Sequence, residues 1–314
     1  MSRSALRWGI LSAVLATLIW SWNFIIARSL IDSTPPVTLA FLRWSTAILL
    51  LLPFTWRSVR QSWPLARSNL RYLLITALLG VTLFNTLIYI GSQTTSALNL
   101  SLISITFPVF IVIFSALFLG RPITLRRTVG IAWVLVGILF LTTNGAPMQL
   151  LQQPLTEGDL WMLVAAILFA IYSILVRYKP KGLSNRAFLS YTFLLGWTLL
   201  TPWMIWEQTQ VPWPEITTTT AGGVLYLGLF TSIASYFFWT HAVDRIGPSN
   251  AGMIYYTLPL FSGVEAWLVL GEPITLIHLL SAVAIITGIL LSSEYQHSNG
   301  DTKENTKENT KGPL

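Results

Sequence analysis

The chain has 314 residues, of which 54% are apolar and 10% charged, and its mean hydropathy is +0.65. A soluble domain carries about 25% charged residues, so this composition excludes an ordinary soluble fold and predicts a polytopic membrane protein. Cysteine is absent, which rules out disulfides, thiolate metal sites and a cysteine nucleophile. The formal charge of +7 is sorted by loop, as shown below, and is no nucleic-acid signal.

A membrane-crossing helix needs about 20 mostly apolar residues. Ten such segments are predicted, near 8–28, 37–56, 72–92, 97–119, 128–144, 158–176, 187–206, 221–243, 247–270 and 275–293. The first follows Arg3 and Arg7 as a signal peptide would. Its apolar stretch from Trp8 to Ala27 is long for such a leader and no clean small-residue cleavage site follows, so it reads as a retained span. Connections are short. With the N-terminus inside, 17 of the 19 basic residues fall in cytoplasmic segments, the exceptions being Arg28 at an outer edge and Arg43 within a span. The outer loops carry Asp32, Glu157, Asp159, Glu207, Glu215 and Glu272 instead. This is the sorting expected when Lys and Arg stay on the cytoplasmic side. Trp56, Trp63, Trp161, Trp203, Trp206 and Trp213 lie where an interfacial belt belongs. Residues 297–314 contain the near-repeat TKENTKENTK, have nothing to bury and read as a disordered cytoplasmic tail.

The chain is duplicated. Gly120-Arg121-Pro122-Ile123-Thr124-Leu125 returns 151 positions later as Gly271-Glu272-Pro273-Ile274-Thr275-Leu276. Thr106 and Pro108 find Thr257 and Pro259, and Gly137-Ile138 finds Gly288-Ile289, at the same offset. Earlier in the units the offset is 149: Arg28 pairs with Arg177 and Pro53 with Pro202. Five spans per unit is an odd number, so tandem copies enter the bilayer in opposite orientations, the construction by which many transporters build two gates around one site. The expected architecture is therefore an all-α membrane protein of ten transmembrane helices in two inverted five-helix repeats, 1–144 and 145–296, with both termini cytoplasmic. Pro108 and Pro259 are expected to kink their spans, since proline removes a backbone hydrogen bond.

Motif by motif the chain resembles the drug/metabolite transporter superfamily in its EamA-like branch. The matching residues are Trp20-Ser21-Trp22-Asn23-Phe24 in the first span, Arg43 in the second, Pro108 before Gly120, Pro259 before Gly271-Glu272, and the glycine-containing fifth and tenth spans. The resemblance covers residues 8 to about 293. It implies a carrier of the bacterial inner membrane, often an exporter of metabolites or amino acids. Such proteins commonly have Glu after the glycine in both units, whereas here the first unit has Arg121.

Ionisable groups inside a span are functional candidates by default. Arg43 and Glu265 both lie about seven residues, roughly 10 Å, below the outer surface. Equal depth and opposite charge suggest a pair that could lock an outer gate; the alternative is that Arg43 snorkels and Glu265 faces a wet vestibule separately. Glu265 can also carry a proton and couple export to proton entry. His241 and His278 fall near span ends and are weaker candidates. Trp20, Asn23, Asn85, Tyr89, Asn99, Tyr172, Tyr236, Trp239 and Tyr255 are the candidate solute-binding residues, polar or aromatic and near mid-span. Asn85 matches Tyr236, and Tyr89 matches Thr240, at the 151 offset.

No HExxH zinc motif, paired aspartates or credible Ser/His/Asp set points to a membrane-embedded enzyme, and no phosphate-binding loop to an ATP-driven pump. The leading expectation is a secondary transporter of a small organic solute working by alternating access. A nucleotide-sugar or drug carrier is the alternative, although a phosphate group asks for more cations than Arg43 alone. No cofactor, metal or nucleic acid is expected, and the chain reads as a monomer or weak homodimer.

Overall fold

The computed structural model describes residues 3–95, 97–120, 122–143, 145–148, 155–270 and 275–292. Arg121, Gly271, Glu272, the tail 297–314 and the side chain of Arg28 lie outside the described residues. Among those described the structure is helical throughout, without strands. The helices are α1 (Arg3–Leu30), α2 (Pro36–Ser68), α3 (Leu70–Gly91), α4 (Ala97–Ser104), α5 (Phe107–Leu119), α6 (Leu125–Thr142), α7 (Glu157–Arg177), α8 (Asn185–Gln208), α9 (Thr218–Tyr255), α10 (Leu258–Leu270) and α11 (Leu276–Ser292).

Eight helices among the described residues are long and apolar enough to cross a membrane, one of them the stack of α4 on α5. The difference from ten predicted segments has a local cause. Segments 221–243 and 247–270 meet end to end within α9, where two helices join across a kink at Gly247 and Pro248. Gly247 breaks the helix there, at φ 81° and ψ 160°, a conformation glycine reaches without a Cβ penalty, and Pro248 has no N–H to bridge the break. Past the kink, the rest of α9 leads across the Pro259 joint into α10, with 13 residues, as α4 leads into α5, and α11 has 17 residues. Helix α2 departs in the other direction. It continues to Ser68, past the predicted end at 56, as an extension carrying Arg57, Arg60 and Arg67.

The two prolines do more than kink. Helix α4 ends at Ser104 and α5 restarts at Phe107; α9 ends at Tyr255 and α10 restarts at Leu258. Pro108 and Pro259 sit second in the restarted helices, where a missing N–H leaves no bond unmade. The joints match bond for bond. The Thr106 hydroxyl donates to the Ile103 carbonyl at 2.7 Å and the Thr257 hydroxyl to the Ile254 carbonyl at 2.8 Å. Pro53 and Pro202 stay inside α2 and α8.

Helices pair across the two halves. Along α2 and α8, the Thr38–Glu207, Ser45–Trp197, Thr55–Ser190 and Ser58–Ser184 bonds rise in one number as they fall in the other, so the helices run antiparallel. Glu207, at the end of α8, accepts the Val37 and Thr38 amides at 3.0 and 2.7 Å, completing the orphan donors at the start of α2. Helices α6 and α11 are likewise antiparallel: Gly130 faces Gly288 and Ser292, and Gly137 faces Ser281, Ala284 and Ile285. A Cβ on Gly288 would lie 2.8 Å from the Gly130 carbonyl and 2.9 Å from the Val134 amide nitrogen, so the backbones touch only because this position has no side chain. Helix α1 packs on α9 and α3 on α7. At the end of α7, Lys179 forms an ion pair with Asp244 of α9 at 2.7 Å and bonds Asn185, and Arg177 donates to the Asp244 carbonyl at 3.1 Å.

Gly288→Leu is expected to lower stability by about 1–3 kcal/mol through overpacking, read as a lower apparent melting temperature in detergent. Gly222→Leu, where an added Cβ meets nothing within 4 Å, leaves it unchanged. Glu207→Ala removes the acceptor for two helix-initiating amides and is expected to cost about 1–2 kcal/mol, with Glu207→Gln costing less in the same measurement.

Candidate functional site

Two stretches of π-helix prepare the centre of the bundle. They are Leu78–Leu83 in α3 and Leu227–Ala234 in α9, equivalent segments of the two units. A π turn shifts the backbone register by one residue and leaves carbonyls with irregular partners. Both turns offer a carbonyl, at Gly80 and at Thr231, and these two residues are 151 apart. The Tyr236 hydroxyl donates to the Gly80 carbonyl at 2.5 Å. The Thr231 carbonyl receives Trp20 Nε1 at 3.1 Å and Arg43 Nη2 at 2.9 Å.

Arg43 is fully buried. Its Nε donates to Ser232 Oγ at 2.6 Å, and its Nη1 to Asn23 Oδ1 at 3.2 Å and Tyr89 Oη at 2.8 Å. The Trp44 ring lies 5.1 Å from the guanidinium carbon, within cation–π range. Every hydrogen-bond acceptor is neutral. Two belong to the first unit and two to the second, so one side chain ties α1, α2, α3 and α9 together.

Around this cation the aromatic residues form one interlocked group. Trp20 packs on Phe169 and Trp239, each at 5.4 Å between centroids, and on Tyr236 at 5.8 Å. Phe107 meets Tyr255 at 4.0 Å. Asn85 donates to the Tyr236 hydroxyl at 3.0 Å and Trp239 Nε1 to Ser173 at 3.1 Å. Equivalent positions touch: Asn85 with Tyr236 at one offset, Trp20 with Phe169 at the other. Trp44 Nε1, buried in this region, has no hydrogen-bond partner in the protein, and Tyr172 pairs with Thr240.

Trp20, Asn23, Asn85, Tyr89, Tyr172, Tyr236, Trp239 and Tyr255 are all buried and gathered about this centre. Asn99 lies elsewhere. It is half-buried and bonded to Asp159, whose carboxylate also accepts Thr95 Oγ1 at 2.6 Å and closes a capping box with Thr156 at the start of α7. Arg43 and Glu265 do not form an ion pair. Glu265 is buried where α10 meets α1; one carboxyl oxygen is bonded to Ser21 Oγ and Oε2 has no partner. His278 bonds Thr275 at the start of α11. Of the belt tryptophans, Trp56, Trp63, Trp206 and Trp213 are more than half exposed and Trp161 is exposed, whereas Trp203 is half-buried.

Thr231, Ser232, Trp44 and Phe169 were missed from the sequence. Thr231 and Ser232 look like ordinary small residues in an apolar run. The available signal was that Thr231 matches Gly80 and Phe169 matches Trp20 under the two offsets.

Comparison with known proteins gives the same pattern a family. The pattern that defines the EamA-like transporter family matches residues 7–143 and again residues 156–294. The chain is 25% identical over 274 residues to the uncharacterized transporter YyaM of Bacillus subtilis (strain 168), covering 86% of this chain and 88% of that one. It is 25% identical over 283 residues to an uncharacterized transporter of Archaeoglobus fulgidus, covering 90% and 96%. A solved crystal structure superimposes with a TM-score of 0.71 over 93% of this chain and 98% of its own, at 18% identity, a likeness of fold alone. With two matches that together span most of its length, the chain belongs to the EamA-like transporter family.

Proposed function

We propose that this protein is a secondary transporter that carries a small organic metabolite, such as an amino acid, outward across a bacterial plasma membrane by alternating access. In this reading the chain crosses the bilayer ten times as two five-helix units, 1–144 and 145–296, the second turned over, with both termini in the cytoplasm. Three features support the inversion. The proline joints of the two units match, the equivalent helices α2 and α8 are antiparallel, and so are α6 and α11. The relatives in Bacillus and the inward sorting of Lys and Arg support the location. Export follows from the family resemblance.

The central cluster is the solute site. The observation that carries this reading is the buried polar and aromatic group drawn from both units around Arg43, in which Trp44 Nε1 is left without a partner. Buried polar atoms are nearly always paired, and a polar solute or its water supplies the partner. Glu265 is the coupling group: a buried carboxyl at the contact of α1 with α10 that takes up and releases a proton as the halves move. Proline 108 and Pro259 give each unit a matched joint on which that motion turns.

The test is flux into proteoliposomes with and without a pH gradient, its solute found by profiling the medium of overexpressing cells. Saturable, gradient-stimulated flux is expected, with Glu265→Gln losing the stimulation. A specific solute that moves at the same rate without the protein would defeat the reading. For topology, Arg60→Cys and Lys181→Cys are expected to react with an impermeant thiol reagent from the same face, and Glu215→Cys from the other. Labelling of the first two from opposite faces would exclude the inverted arrangement.

A further inference from the structure

The Thr231 carbonyl is overloaded. Trp20 Nε1 approaches it at 3.1 Å, Arg43 Nη2 at 2.9 Å and Ser235 Oγ at 2.6 Å. A carbonyl oxygen has two lone pairs, so three side-chain donors converge on an atom that satisfies two. Converging donors around a cation are the elements of an oxyanion site. The guanidinium meets no carboxylate: its other acceptors are Ser232, Asn23 and Tyr89. A buried cation without a counter-ion keeps an uncompensated charge, which is costly in low dielectric.

We propose that Arg43 and Trp20 bind the carboxylate of the carried solute, whose oxygen competes with the Thr231 carbonyl for the same two N–H groups. This rests on the reading of the central cluster as the solute site, and it names the solute's class. A single cation fits a single negative charge. A phosphate ester carries close to two and would leave one unmatched, which sets carboxylate above phosphate. Trp20, which shares the Thr231 carbonyl with the guanidinium, packs on the rings of Phe169, Trp239 and Tyr255, so the body of the solute is apolar. The carrier therefore takes small monocarboxylates with an apolar side. The binding event also has a structural consequence. Moving the Nη2 and indole N–H groups from Thr231 to the solute removes one bond from α1 and one from α2 to the α9 π turn and leaves the Arg43–Ser232 bond to hold it, so occupancy loosens the contact between the two units.

The experiment is a binding measurement on the purified full-length protein in detergent, by thermal shift and calorimetry. The probes are matched sets of a carboxylate, its amide and its amine, built on propyl, cyclohexyl and phenyl bodies. At least one carboxylate at millimolar concentration is expected to stabilise the protein while its amide and amine do not. Arg43→Lys, which keeps the charge but loses the planar fork, is expected to weaken binding about tenfold. Trp20→Phe keeps an aromatic ring while removing the N–H and part of the indole's bulk, and is expected to weaken binding a few-fold. Should the Arg43 variant fail to fold, Trp20→Phe still decides. Binding of the amide or amine equal to the carboxylate, no carboxylate binding at all, or a Trp20→Phe protein with undiminished affinity would each overturn the proposal. Carboxylate binding without flux in proteoliposomes would leave this inference standing and defeat the transport reading. Flux of a neutral or cationic solute would do the reverse.

Discussion

A buried guanidinium is costly in low dielectric unless it is well partnered, and much of this bundle is arranged to keep Arg43 company. Its partners come from α1, α3 and α9, and the carbonyl it takes from Thr231 lies in a π turn. In a regular helix that oxygen would be engaged along the axis; in the irregular turn it faces sideways to a neighbour. Arginine suits the position because its five N–H donors fan out in several directions within one plane, whereas a lysine ammonium would concentrate its charge at one point. The cation thus fixes how four helices meet.

The matching π turn at Leu78–Leu83 performs the same service with different chemistry. There the lateral carbonyl belongs to Gly80 and the donor is the Tyr236 hydroxyl. The units therefore share a backbone device and differ in the side chain that answers it. A cation serves one turn and a phenol the other, so the centre is symmetric in shape and asymmetric in charge. Close helix approach preserves the shape. At the crossing of α3 and α7, a Cβ on Gly158 would come within 2.3 Å of the Gly91 carbonyl.

The duplicated Gly-x-Pro-Ile-Thr-Leu block and the offsets of 149 and 151 revealed much of this in advance. Residues matched by those offsets, such as Asn85 and Tyr236, are in contact. Helical content followed from hydropathy, as did the general course of the apolar segments. Other features left no mark in composition. The register shift of a π turn involves the same residue types as an α turn. The kink at Gly247 is an exception, since Gly-Pro marks a break in the sequence itself and the backbone breaks there. Depth below the surface can be counted along a helix, but the angle around the bundle axis cannot. Equal depth therefore suggested Arg43 and Glu265 as partners, whereas α10 presents Glu265 to Ser21 and leaves Arg43 to α9. Asn99 was misplaced for the same reason: proximity to mid-span did not tell which neighbour its face would meet.

The kink in α9 has a mechanical consequence. Its two helices meet at Gly247, where the backbone turns at φ 81°, and the Lys179–Asp244 ion pair holds the chain just before that turn. The stretch that carries the π turn is therefore clamped to the end of α7, and any swivel about the kink falls on the stretch that runs toward Pro259.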